Sequence, residues 1–263
     1  MLAFSKYHGA GNDFILIDGR KIHPNLNQKQ IAFMCNRQKG IGADGLMILL
    51  DSKEYDFEMK YYNSDGLEGS MCGNGGRCIT SFAWDCGIQK ENYHFLAIDG
   101  EHQAKILKHA ATEKIVELEM KDVNEVVSKA DHFEMNTGSP HYLKFHSEIK
   151  ELNVFEEGRK IRYSNEYREN GINVNFIEEQ GNQLFVRTYE RGVENETLAC
   201  GTGVTAAAIA SAVRQKGQFQ HFEIETLGGK LQIDFDMIDA SHFRNIRLTG
   251  PATFVFEGKV DLT

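Results

Sequence analysis

Cys72-Gly73-Asn74-Gly75-Gly76 and Cys200-Gly201-Thr202-Gly203 are the stretches on which the fold turns. Each places a cysteine and bare glycine backbone just ahead of a run with helical character, residues 75–86 in the first case and 203–215 in the second. The second run contains Ala206, Ala207, Ala208, Ile209 and Ala210 and is apolar nearly all round, which predicts a helix buried on every side. Cys72 and Cys200 are 128 positions apart, and the same offset lays Gly75 on Gly203, Asp99-Gly100 on Leu227-Gly228, Asn63 on Arg191 and Gly45 on Asn173. Strand-like runs flank these points in both halves: 14–18, 57–63, 95–99, 103–107 and 115–120 in one, 174–177, 184–189, 222–226 and 231–235 in the other. Two further helices are expected over 27–36 and, more weakly, 147–154.

The fold class this predicts is α+β: two similar domains from an internal duplication, each a mostly antiparallel sheet wrapped round a central buried helix, with the active site in the cleft between them. The polar stretch 121–130 puts the boundary between a domain of residues 1–122 and one of 123–252, the last strand (253–263) returning to the first. The length of 263 residues accommodates two such domains. With 41% hydrophobic and 25% charged residues, disordered and collagenous classes are excluded. A formal charge of -9 without a basic stripe argues against a nucleic-acid partner. Apolar runs reach half the length of a membrane span, so no membrane partner is expected. Residues 1–18 lack the layout of a signal peptide, and the odd count of five cysteines (35, 72, 78, 86 and 200) suits reduced thiols, so a cytoplasmic location is expected. No CxxC pair is present to anchor a zinc ribbon, and no metal is expected.

Gly40-Ile41-Gly42-Ala43-Asp44-Gly45 matches a dinucleotide-binding pattern, but it follows a helix and precedes a strand, the reverse of what that site needs. It reads as a glycine-built loop. The two cysteine loops read differently. A helix N-terminus exposes backbone N–H donors and the positive end of the helix dipole, which bind a carboxylate and depress the pKa of a nearby thiol. One such cysteine would be an ordinary buried thiol. Two at one offset place two sulfurs on opposite sides of one substrate atom, which suits inversion at a carbon bearing hydrogen: one thiolate removes a proton and the opposing thiol delivers another. A weak carbon acid also needs a dry site and stabilised negative charge.

Taken with Gly9-Ala10-Gly11-Asn12-Asp13-Phe14, Tyr62-Asn63-Ser64-Asp65-Gly66, Pro140-His141, Asn173-Val174-Asn175-Phe176 and Glu190-Arg191-Gly192, the two cysteine loops make the sequence similar, end to end, to the diaminopimelate epimerase family. The resemblance implies a cofactor-independent, homodimeric enzyme interconverting LL- and meso-diaminopimelate, with Cys72 and Cys200 as the acid and base. It implies that Gly73-Asn74 and Gly201-Thr202 hold the reacting carboxylate, that Asn12, Asn63, Asn173 and Arg191 recognise the distal end, and that Glu190 lies near the reacting amino group. His141 and Glu190 are the implied modulators of the thiol pKa values. Gly45, where enteric members carry glutamine, and Ser139, where the family usually has asparagine, depart from the pattern. Proline racemases and hydroxyproline epimerases carry Gly-His after the first cysteine where Gly73-Asn74 stands, and phenazine-type isomerases lack the cysteine pair. From another class, a thiol-redox or noncatalytic amino-acid-binding protein on the same duplicated scaffold is the alternative, and retention of both cysteines with Glu190 speaks against mere binding.

Overall fold

The computed structural model describes residues 1–21 and 24–262. The chain runs β1 (Leu2–Gly9), β2 (Asn12–Asp18), α1 (Gln28–Cys35), β3 (Gly45–Leu50), β4 (Phe57–Asn63), α2 (Gly73–Asp85), β5 (Asn92–Ala97), β6 (Gly100–His109) and β7 (Glu113–Glu119). It continues with β8 (Val126–Ser128), β9 (Phe133–Asn136), β10 (Pro140–Phe145), α3 (Val154–Arg162), β11 (Asn173–Gln180), β12 (Gln183–Glu190), β13 (Asn195–Thr197), α4 (Gly201–Arg214), β14 (His221–Thr226), β15 (Gly229–Met237) and β16 (Phe243–Val260). Two compact units divide it, Met1–Leu118 with Gly250–Thr263, and Glu119–Thr249. Thr263, the end of the returning strand, lies outside the described residues.

In the first unit β1 to β7 pair in chain order, and the last part of β16 closes the ring against β7 and β1. Only β2–β3 and β4–β5 are parallel there. A parallel neighbour cannot be reached through a tight turn, and α1 and α2 are the two crossovers. Helix α2 runs inside the ring, buried from residue 73 through 83 and touching β1, β2, β3 and β6. Its slim residues permit this: a Cβ on Gly76 would meet a Leu118 methyl at 2.9 Å. Helix α1 lies on the outer face, where Ile31, Met34 and Cys35 pack with Phe4, Ile15, Ile17, Leu46 and Ile48. It begins at a capping box between Asn27 and Gln30.

The second unit repeats the plan. Its strands pair in the order β16-β15-β14-β12-β11-β10-β9-β8, and a bridge from Val123 to Phe243 on β16 brings the row back on itself. The parallel pairs β10–β11 and β12–β14 are joined by α3 and α4. Helix α4 is the central one, its Ala206 to Ala210 run wholly buried, while α3 packs outside against Tyr142, Val174 and Tyr189. The chain is thus an α+β fold built twice, each time as a sheet round a buried helix.

Three local expectations change. The expected helix over 147–154 is a 3-10 turn, Ile149–Glu151, followed by α3, because Asn153 caps a new helix by accepting from the Glu156 N–H. Helix α4 is one residue longer than α2, so the hairpin turn at Ile98-Asp99 corresponds to Leu227-Gly228, and Gly100 to Gly229 rather than Gly228. Leu46 pairs with Tyr62 and Val174 with Tyr189, which makes Glu190, not Arg191, the counterpart of Asn63. The 40–45 loop winds back on the end of α1, with the Ile41 and Gly42 N–H groups donating to the Met34 carbonyl.

Candidate active site

Within the first unit, Cys72 is the N-cap of α2, and the Gly75 N–H donates to its Sγ at 3.2 Å. An N–H aimed at sulfur at the positive end of a helix favours the thiolate. Asn12, at the start of β2, accepts from the Asn74 amide at 3.3 Å and lies 4.0 Å from Cys72 Sγ through its Oδ1. Its Nδ2 donates to Asp44 at 2.7 Å. Gly73 and Asn74 are buried in the first turn of α2. Gly45 and Asn63 are cross-strand partners where β3 begins and β4 ends, and Asn63 is exposed. No side chain fits at Gly45: an added Cβ would lie 2.5 Å from the Tyr61 ring and 2.7 Å from the Tyr62 carbonyl. Tyr61 therefore occupies the space that a glutamine at this position would need.

Within the second unit, Cys200 is the N-cap of α4 and sits 3.5 Å from the Thr202 hydroxyl. The Thr202 carbonyl accepts from Thr137. Asn173 gathers three of the expected groups: its Nδ2 donates to Ser139 Oγ at 2.9 Å, its Oδ1 accepts the Arg191 N–H at 2.8 Å, and Arg191 Nη2 reaches the same serine oxygen at 3.3 Å. Ser139 thus receives two donors, so its own O–H is directed elsewhere. Glu190 accepts from Thr197 Oγ1 at 2.9 Å.

His141 is fully buried at the start of β10. Its Nδ1 accepts from Asn175, whose amide orientation is set by a bond to the Tyr142 carbonyl and one accepted from Thr188. The ring proton is then on Nε2, which has no hydrogen-bond partner among the described residues. Burial and, after it, the Arg191 charge push the His141 pKa down to about 3, so the ring is neutral near pH 7. Asn175 also sets the space at α4: a Cβ on Gly203 would fall 2.5 Å from its Oδ1. Gly203→Ala is expected to cost about 1–3 kcal/mol in urea unfolding, because the crowded amide is held by three bonds. At the equivalent Gly75 the nearest atom is Cys72 Sγ at 3.3 Å, and Gly75→Ala should cost clearly less. Equal losses would contradict this geometry.

Asn12 and Asn74 therefore gather at Cys72, Ser139 and Arg191 gather at Asn173, and His141 reaches the start of α4 through Asn175, whereas Gly45 and Asn63 are paired with each other where β3 begins and β4 ends. Asp44 orients Asn12 and Asn175 orients His141 from positions distant along the chain, whereas Arg77 orients Asn74 from the next turn of the same helix. Cys35 and Cys86 are pushed up to about 12, chiefly by burial, and the buried Cys78 is pushed up further. These three behave as packing thiols. Among the described residues no group of three or more His, Cys, Asp or Glu side chains could hold a metal ion, and no helix is long and apolar enough to cross a membrane.

Residues 4–126 and 133–255 each match the model of a family described as diaminopimelate epimerase. The chain is 48% identical over 254 residues to a diaminopimelate epimerase of Flavobacterium psychrophilum, covering 96% of this chain and 97% of that one. Solved structures with the same fold include a phenazine biosynthesis protein of the PhzF family from Bacillus anthracis, with a TM-score of 0.75, 14% identity and 99% of each chain covered. A hydroxyproline epimerase from Agrobacterium vitis has a TM-score of 0.71 and 13% identity, covering 98% of this chain and 90% of that one.

Proposed function

The chain belongs to the diaminopimelate epimerase family, and from that premise we propose that it interconverts LL- and meso-2,6-diaminopimelate by proton transfer at one α-carbon between Cys72 and Cys200, without a cofactor. The observation that carries the reading is the placement of both cysteines as N-caps of the two buried helices. The amides of Gly73-Asn74 and Gly201-Thr202 hold the α-carboxylate, where helix N-termini stabilise the charge that builds up as the carbon is deprotonated. Two-base inversion requires the thiolate and the thiol to reach opposite faces of that carbon. Glu190 is the partner of the reacting amino group, and it modulates the thiol pKa values together with His141. With its ring neutral, His141 acts as a hydrogen-bond donor through Nε2–H rather than as a proton reservoir.

The distal amino acid is held by Asn12, Asn63, Asn173 and Arg191. Ser139 contributes its O–H, and Gly45 offers backbone only, with Tyr61 filling its side-chain space. Family membership supports a homodimer acting in the cytoplasm, in amino-acid biosynthesis leading to lysine.

The test is a reaction run in D2O with LL-diaminopimelate, without pyridoxal phosphate or metal. Early in the reaction the meso product should carry deuterium at the inverted carbon while recovered LL substrate stays largely unlabelled, because the donor thiol has already exchanged with solvent. L-Proline in parallel should show no exchange. Absence of inversion under reducing conditions, or substrate and product labelled alike from the first turnover, would overturn the reading.

A further inference from the structure

Arg77 is the largest fully buried side chain among the described residues. Among the described residues no carboxylate pairs with it: its guanidinium donates to the Gly73 carbonyl at 3.1 Å, to Asn74 Oδ1 at 2.8 Å and, at 3.4 Å, to the Pro251 carbonyl. All three acceptors are neutral. A guanidinium removed from water without a counter-charge costs several kcal/mol of stability, and burial accordingly lowers its pKa to about 10. The duplication shows that the fold does not require it. The counterpart of Arg77 at the offset of 128 is Thr205, where a neutral hydroxyl satisfies the Gly201 carbonyl at 2.9 Å just as Arg77 satisfies that of Gly73.

We propose that Arg77 is a positioning residue for the Cys72 half of the site, a sealed cation that orients the Asn74–Asn12 amides and whose charge is matched when a thiolate or carboxylate occupies the loop. The inference rests on the reading above for the identity of the carboxylate, not for the thiol. Its first part follows from donor inventory. Arginine can only donate, so Asn74 must turn Oδ1 toward it, which leaves Nδ2 for Asn12 Oδ1 and Asn12 Nδ2 for Asp44. One buried cation thereby fixes which atom of Asn12 faces Cys72.

The second part concerns charge. Around this loop in the same unit, Asp13 and Asp44 both accept from Arg37, Asp13 also pairs with Lys6, and Asp99, which accepts the Met71 N–H, bonds His102. Cys78 on α2 is held as a thiol by burial. Asp13 and Asp44 are matched by Lys6 and Arg37, and Asp99 takes a histidine, whereas the Arg77 guanidinium is bonded to neutral acceptors alone. An anion at Cys72 or on the Gly73-Asn74 amides gives that guanidinium a counter-charge beside it.

The experiment compares Arg77→Met and Arg77→Lys with wild type, following iodoacetamide alkylation of Cys72 by peptide mass mapping as a function of pH. Arg77→Met should alkylate Cys72 about tenfold more slowly at neutral pH, with the midpoint raised by about one unit. It should lower kcat more than it raises KM, and Arg77→Lys should recover part of both. Thermal stability of Arg77→Met should not fall in proportion, since a buried charge has been removed. An unchanged alkylation profile in Arg77→Met would overturn the proposal. Were that variant unable to fold, a wild-type profile and kcat in Arg77→Lys together with loss in Arg77→Gln would support it, and loss of folding in both would assign Arg77 to stability alone. Because alkylation needs no substrate, a moved profile in a protein that leaves diaminopimelate unchanged would fail the functional reading and leave this one standing.

Discussion

Cys72→Ala and Cys200→Ala each lower epimerisation by about a thousandfold or more, the scale expected when an acid or base is removed from a proton transfer. The loss is expected to be selective. With one cysteine removed, the other can still take the proton from the stereoisomer it faces and return one from solvent to the same side. Each variant should therefore exchange the α-hydrogen of one isomer with deuterium slowly and with retention, and the two variants should select opposite isomers. Cys35→Ala, at the buried thiol that ends α1, should leave the rate within a few-fold of wild type. Mass spectrometry and chiral separation of the recovered amino acid decide the matter. Exchange of both isomers by either single variant would mean that another group serves as base.

Much of this arrangement was legible because a duplicated sequence carries its own control. Cys-Gly-x-Gly at two places, each ahead of a slim apolar helix, identifies two buried helices and their caps without reference to anything distant. The strands at 57–63 and 184–189 are likewise set by local alternation, and appear as β4 and β12. What stayed hidden depends on partners far along the chain. The extended β16 reads weakly because Gly250 and Pro251 interrupt it, yet their register opposite Val116 and Ile115 is where the strand passes from the second unit to the first. Helix α3 was shifted because its start is decided by the Asn153 cap rather than by its apolar residues. Gly45 shows the same limit within the site. Sequence shows a missing side chain, whereas only the pairing of β3 with β4 shows Tyr61 in its place.

Asp13→Asn is expected to cost about 3–5 kcal/mol, as when one partner of a buried ion pair is removed. Lys6, on β1, is 8% exposed in its side chain, and its ammonium lies 2.7 Å from Asp13 Oδ2 while donating to the Gly42 carbonyl. The carboxylate also takes Arg37 at 2.6 Å and 3.0 Å and the Asp44 N–H at 3.2 Å. An asparagine leaves the Lys6 charge uncompensated between β1 and the 40–45 loop. Lys6→Met combined with Asp13→Asn should recover most of the loss, because the exposed Arg37 can turn to water and to Asp44. Burial by itself would raise the Asp13 carboxyl, but the bonds from Arg37 and Lys6 and the Lys6 charge outweigh it and hold it well below the usual carboxylate range. A carboxyl depressed in the folded state contributes its stability above the unfolded value of about 4 and loses it as pH falls toward the folded one. The gap between wild type and Asp13→Asn in urea unfolding should then be constant above about pH 5 and narrow below about pH 4. Parallel curves through that range would mean that Asp13 stabilises the 40–45 loop through its neutral hydrogen bonds instead. The same measurement bears on the site, since Asp13 fixes Asp44 and Asp44 fixes Asn12: the double variant should regain stability before it regains a wild-type KM.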